Sequence, residues 1–204
     1  RKQDWLASLA ALEPDLIVNT GDNLGHRDGL EGIRRAFAPF EGVPGVFVHG
    51  SNDVHGPSPR NPLRYFRGPS ANPRPPAKLD TAAMDRYFTE ELGWTDLDNR
   101  AARLTVAGNT LDLFGVDDAH RDWDRLDVLP AAIKALGRRR AKTSVIGVTH
   151  APYQRVLNTF TSLGADAIFG GHTHGGQVRL PGYGALVANC DIPLDQARGL
   201  SEWT

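Results

Sequence analysis

Apolar residues along this chain occur in two kinds of run, spaced and contiguous. Trp5, Leu6, Leu9 and Leu12 are spaced as on one face of a helix over 1–13, and Pro14 ends the pattern. Leu30, Ile33, Phe37 and Phe40 repeat that spacing over 29–40. The contiguous runs are short: Leu16 to Thr20, then Val46 to Val48, each reading as a buried strand. Farther on, the pattern predicts a helix over 80–92 and a hairpin over 101–116 turning at Gly108-Asn109. A helix over 124–137, a strand over 144–148, a helix over 153–163 and a strand over 167–169 follow. Helix and apolar strand in alternation are the mark of a layered α/β fold.

Residues 54–79 interrupt the alternation. Seven of the 14 prolines lie between Pro57 and Pro76, and Arg60, Arg64, Arg67, Arg74 and Lys78 sit there without an acidic residue. Neither a regular helix nor an interior strand accommodates that many prolines. The stretch reads as an inserted loop, either a solvated excursion or a lid whose Arg64 and Arg67 contact a substrate phosphate. Tyr65 and Phe66 would pin it to the core.

Composition narrows the function classes. A chain of 204 residues buries a sizeable core unaided. The net charge of −1 supplies no basic field, which argues against nucleic acid as a partner. One cysteine, Cys190, excludes an intramolecular disulfide and fits a reducing compartment. No apolar run approaches the ~20 residues of a membrane-spanning helix, so the expected location is cytoplasmic, with peripheral membrane contact open. Residues 1–204 are expected to form one domain, truncated at both ends. Trp5, Trp94, Trp123 and Trp203 are expected in or beside cores, and His49 in a structural role.

The chemistry lies where the strands end. Four separate apolar runs terminate in Asp22, in Asn52 with Asp53, in His150, and in His172 with His174. Strand C-terminal edges of an α/β sheet form the crevice where ligands bind. Carboxylate, carboxamide and imidazole gathered there suit Mn, Fe or Zn. Each residue alone is ordinary, but His172-Thr-His174 inside Gly170-Gly171 and Gly175-Gly176 is costly to explain by packing. In an extended segment His172 and His174 would share one face and point together at a metal pair.

The ordered set TGDN, GSND, THAP and GGHTHGGQ resembles the calcineurin-like metallophosphoesterase superfamily, over residues 1 to about 190. That resemblance implies an αββα sandwich with two divalent metal ions at the strand ends. Asp22 would bridge both ions, Asn52, His150 and His172 would hold the second, and His174 would complete the first. The implied reaction is hydrolysis of a phosphomonoester or phosphodiester by metal-activated hydroxide, on a nucleotide, a phospholipid-like molecule or a small phosphoester. Two departures stand out. No Asp-x-His precedes Asp22, and the motif is expected upstream of Arg1. Asp53 stands where the family usually has a histidine that protonates the leaving group, so Asp53 or His55 would take that role. Asp118-Ala-His120 has the letters of the first motif but the wrong place in the order, and His120 reads as a rim residue contacting substrate. The alternative function is a non-catalytic metal- or nucleotide-binding module on the same fold.

Overall fold

The computed structural model describes residues 2–56, 77–140, 142–180, 182 and 184–204. Arg64 and Arg67, with most of the proline-rich stretch, lie outside the described residues. Strands β1 (Ile17–Asn19), β2 (Gly45–Phe47) and β3 (Thr95–Asp96) form one parallel sheet in that order. A second sheet runs β4 (Arg100–Val106), β5 (Asn109–Val116), β6 (Ser144–Thr149) and β7 (Ala167–Gly170). Its first pair is antiparallel and the others are parallel. A separate antiparallel hairpin joins β8 (Val178–Leu180) and β9 (Gly184–Val187).

Alternation within the strands explains the layering. Phe47 faces helices α1 (Lys2–Ser8), α2 (Gly29–Phe37) and α4 (Thr81–Arg86), packing with Ile33, Phe37, Met84, Phe88 and Trp94. Its neighbours Val46 and Val48 face the other way and meet Leu113 and Val148 of the second sheet. Phe114 and Val145 then face outward to Leu129 of α5 (Leu129–Ala135) and to Val156 and Phe160 of α6 (Gln154–Ser162). Helices, sheet, sheet and helices therefore stack with three apolar seams, which is the expected αββα arrangement. The cover is incomplete at β7. Phe169 pairs in register with Val148 and shares its inward face, yet remains 46% exposed.

Three local expectations change. The β4–β5 turn is Ala107-Gly108, one residue earlier than expected, with φ of 47° and 78°. Positive φ at both central residues gives the hairpin turn whose twist matches the strands. The helix expected over 124–137 starts only at Leu129, after a tighter turn over Leu126–Val128, with Pro130 in its first turn where no amide bond is lost. Trp5, expected beside the core, is 65% exposed, because α1 turns the partly buried Leu6 toward the core and its other side to solvent.

Candidate functional site

The end of β1 and the start of α3 (Ser51–Val54) are tied together by one carboxylate. Asp53 is fully buried, and its two oxygens accept four backbone N–H groups: those of Asp22, Asn23, Leu24 and Gly50, at 2.6–3.0 Å. Burial pushes the Asp53 carboxyl up, while the Gly50 and Leu24 amides and the charge of His49 pull it back. A carboxylate committed on both oxygens and closed to solvent cannot hand a proton to a leaving group. The expectation of Asp53 as acid is thus replaced by a clamp that shapes the Asp22 loop.

That loop presents Asp22 in the left-handed region, at φ +61°. Asp22 Oδ1 accepts the Asn52 amide at 2.9 Å, and Oδ2 accepts the Asn52 carboxamide Nδ2 at 2.6 Å. Gly50 makes this approach possible. A Cβ there would lie 2.2 Å from Asp22 Oδ1 and 2.6 Å from His150 Cε1.

His150 follows β6 directly and is almost fully buried. Its Nδ1 donates to the Thr20 carbonyl at 2.7 Å, which leaves Nε2 as a lone pair. His172 Nε2 lies 3.2 Å from both the Asn189 carbonyl and the Asn189 carboxamide nitrogen, and the tautomer that donates to the carbonyl has its lone pair on Nδ1. His172 Nδ1 and His150 Nε2 face each other at 3.2 Å, with Asp22 Oδ2 3.6 Å from His150 Nε2. Ligands bound to one ion at ~2.0–2.2 Å stand about 3.0–3.5 Å apart, so the spacing of His150 Nε2 suits a cation shared with either neighbour. Burial, then the nearby His150 and His120 rings, hold His172 down to about 3, so it is a neutral donor at physiological pH.

The protein matches the calcineurin-like phosphoesterase family over residues 2–176. The chain belongs to that family. No curated protein matches it.

In this chain the His172–His174 segment is not extended, contrary to the sequence expectation. His172 and His174 have φ of 64° and 53°, and the Gly176 amide closes a turn onto the Thr173 carbonyl at 2.8 Å. The buried Thr173 hydroxyl anchors that turn on the Ala197 carbonyl at 2.7 Å. His172 is therefore directed onto His150, whereas His174 is exposed and makes no hydrogen bond to the cluster among the described residues. Asp22, His172, His174 and Asn189 all hold positive φ without being glycine. Such strain gathers where surrounding structure over-determines a functional geometry. All three metal-type residues Asp22, His150 and His172 open onto a cleft of about 960 Å³, with His174 and Phe169 on its wall.

His120 also reaches the cluster. Its ring centroid is 4.6 Å from that of His172, and its Nδ1 is 2.9 Å from the Tyr153 hydroxyl. His55 rests against Trp123, with ring centroids 5.9 Å apart, and its backbone bridges to Lys78.

A second polar cluster lies one residue before Gly50, and sequence reasoning missed its composition. His49 donates from Nδ1 to Asp98 at 2.5 Å and from Nε2 to Asp85 at 2.7 Å. Donor atoms of His49, Asp96 and Asp98 lie within 4.8 Å of one another, a spacing that also suits a metal ion. Burial would lower the His49 imidazole, but hydrogen bonds to Asp85 and Asp98 overcome it and raise the group to about 11. A metal there would have to displace a tightly held proton, so the ion-pair description is the stronger one. Burial and the Asp98 charge push neighbouring Asp117 up to about 6. Asp85 and Asp98 stand 36 and 49 positions from His49, which is why no local motif announced them.

No helix among the described residues is long and apolar enough to cross a membrane.

Proposed function

We propose that this phosphoesterase hydrolyses a phosphomonoester or phosphodiester with a divalent cation seated on Asp22, His150 and His172. The observation that carries the reading is the pair of imidazole nitrogens facing each other beside a carboxylate. His150 has its other nitrogen on a backbone carbonyl, the arrangement that orients metal-binding histidines, and His172 has its own against the Asn189 carbonyl and carboxamide. A divalent ion bound there supplies Lewis acidity, polarising a phosphoryl oxygen and acidifying a water.

The chain's own residues divide the remaining work. Asp22 contributes negative charge that offsets the cation and fixes its place at the end of β1. Asn52, bonded to both Asp22 oxygens, holds that carboxylate in one orientation. Asp53 shapes the loop, and the acid role falls to His55. A second ion would draw on His174, which stands on the cleft wall. Mn, Fe and Zn all suit the donor set. Arg64 and Arg67 are assigned to substrate phosphate contact, and nucleotide, phospholipid-like and small phosphoesters are the candidate substrates.

Asp22→Asn and His172→Ala each should lower turnover of a chromogenic phosphate ester with added Mn by at least about a hundredfold, as loss of a metal ligand does. Metal analysis of the same samples should show loss of the ion. Unchanged turnover in both variants sinks the reading. A wild-type protein that retains metal without hydrolysing any ester supports the binding-module alternative instead.

A further inference from the structure

The wall of the cleft that holds Asp22, His150 and His172 also includes the segment 196–204. That segment is anchored at both ends. Ala197 is buried, packs with Leu157, Ala188 and Ile192, and takes the Thr173 hydroxyl on its carbonyl at 2.7 Å. Trp203 donates from its indole to Asn158 Oδ1 at 2.9 Å, and the Gln196 carboxamide donates to the Glu202 carbonyl at 3.4 Å. Between these anchors the chain turns at Gly199, with φ of +79°, and Leu200 stands fully in solvent.

Arg198 directly follows the buried anchor and is itself exposed. It is the single Arg or Lys among the described residues of the cleft wall, whose acids are Asp22, Asp166 and Glu202. Asp22 is bonded to Asn52, and Asp166 accepts the Val145 amide at 2.8 Å. Arg198 makes no hydrogen bond or ion pair with any described residue. Its tether is fixed relative to the cation donors: Thr173 follows His172, Ala197 precedes Arg198, and the hydroxyl–carbonyl bond joins the two. A guanidinium stays charged at every physiological pH and offers paired N–H donors that match a phosphate. On this cleft it has no internal anion to satisfy it.

We propose that Arg198 binds the phosphoryl group of a phosphomonoester held in this cleft. This deepens the phosphoesterase reading and rests on it, choosing the monoester over the diester. A monoester phosphoryl group carries about two negative charges and three free oxygens, so a cation and a guanidinium can each engage an oxygen of their own. A diester has one negative charge and two free oxygens, and gains less from a second cationic partner.

The test is calorimetric titration of the manganese-loaded full chain with inorganic phosphate, and with dimethyl phosphate as the diester probe, paired with kinetics. Arg198→Gln should weaken inorganic phosphate about tenfold, the low end for a charge-assisted hydrogen bond, and dimethyl phosphate less than about threefold. Arg198→Lys keeps the charge and loses the fork, so its affinity should fall between wild type and Arg198→Gln. KM for a chromogenic monoester should rise by the same factor as the phosphate dissociation constant, with kcat changed less than about twofold, because the contact serves ground and transition state alike. Manganese affinity in Arg198→Gln should match wild type, which separates lost phosphate contact from damaged cation donors. Equal phosphate affinity in wild type and Arg198→Gln, an equal loss for both probes, or weakened manganese binding in the variant would each overturn the proposal. If the loaded wild type hydrolyses no ester, the phosphoesterase reading falls, while the titrations still decide whether Arg198 binds phosphate.

Discussion

Two histidine clusters flank Gly50, and they have opposite charge states. His172 meets His150, His120 and a backbone carbonyl, and is held neutral down to about 3. His49 meets two carboxylates and is held protonated up to about 11. Both are largely buried, so burial is common to the two and cannot explain the difference. The partners do: carboxylates stabilise an imidazolium, whereas neighbouring imidazoles do not. One cluster is a finished ion pair. The other is a cluster of imidazoles beside a single carboxylate.

Asp53 joins the two, since its carboxylate holds the amides of both Gly50 and Asp22. Asp53→Ala should therefore have the largest effect, destabilising the fold by about 3–5 kcal/mol through four stranded backbone donors. Urea unfolding measures it, and a loss below about 1 kcal/mol would show that the clamp is dispensable. Zinc sharpens the contrast next. At a free concentration a hundred times its dissociation constant, zinc should add about 2.7 kcal/mol to wild-type stability. Asp22→Asn should abolish that gain and His49→Phe should keep it. The reverse result would place the ion at His49, Asp96 and Asp98.

His49→Phe should itself cost about 2 kcal/mol, below the usual figure for breaking a buried pair because Asp85 is 40% exposed. The pH profile of the metal-free protein carries the smallest and most specific signal. The folded state keeps a proton on His49 that the unfolded chain releases above about 6.5, so stability is full below that value and falls as pH rises toward about 11. The folded state refuses a proton on His172 that the unfolded chain accepts below about 6.5, so stability falls as pH drops toward about 3. His49→Phe should flatten the alkaline limb and His172→Phe the acid limb, each read by thermal unfolding across pH. A single variant that flattens both limbs would show that the two clusters are not separate.

Much of this was legible in the residues themselves. The apolar runs located six of the nine strands among the described residues, and β3 and the hairpin β8–β9 were not among them. Contiguous runs report burial on both faces, and β2 and β6 are buried that way, whereas the two-residue β3 is too short to leave a periodic signal. The donors at the strand ends were legible for a related reason: parallel strands in one sheet finish along one edge, and the edges of the two sheets meet where His150 bonds the Thr20 carbonyl. Asp22, Asn52, His150 and His172 do converge, as that rule requires.

The linear order of residues determined the layered α/β class, the family, and which side chains gather at the strand ends, because periodicity and strand-end position are local properties. Only the tertiary structure decided what each gathered group does. Asp53 became a clamp because four amides from two distant loops close on it, and His172 parted from His174 because a buried threonine pins the turn between them. His49 and His172 took opposite charge states because protonation follows the neighbours met in space, and those neighbours lie tens of residues away along the chain.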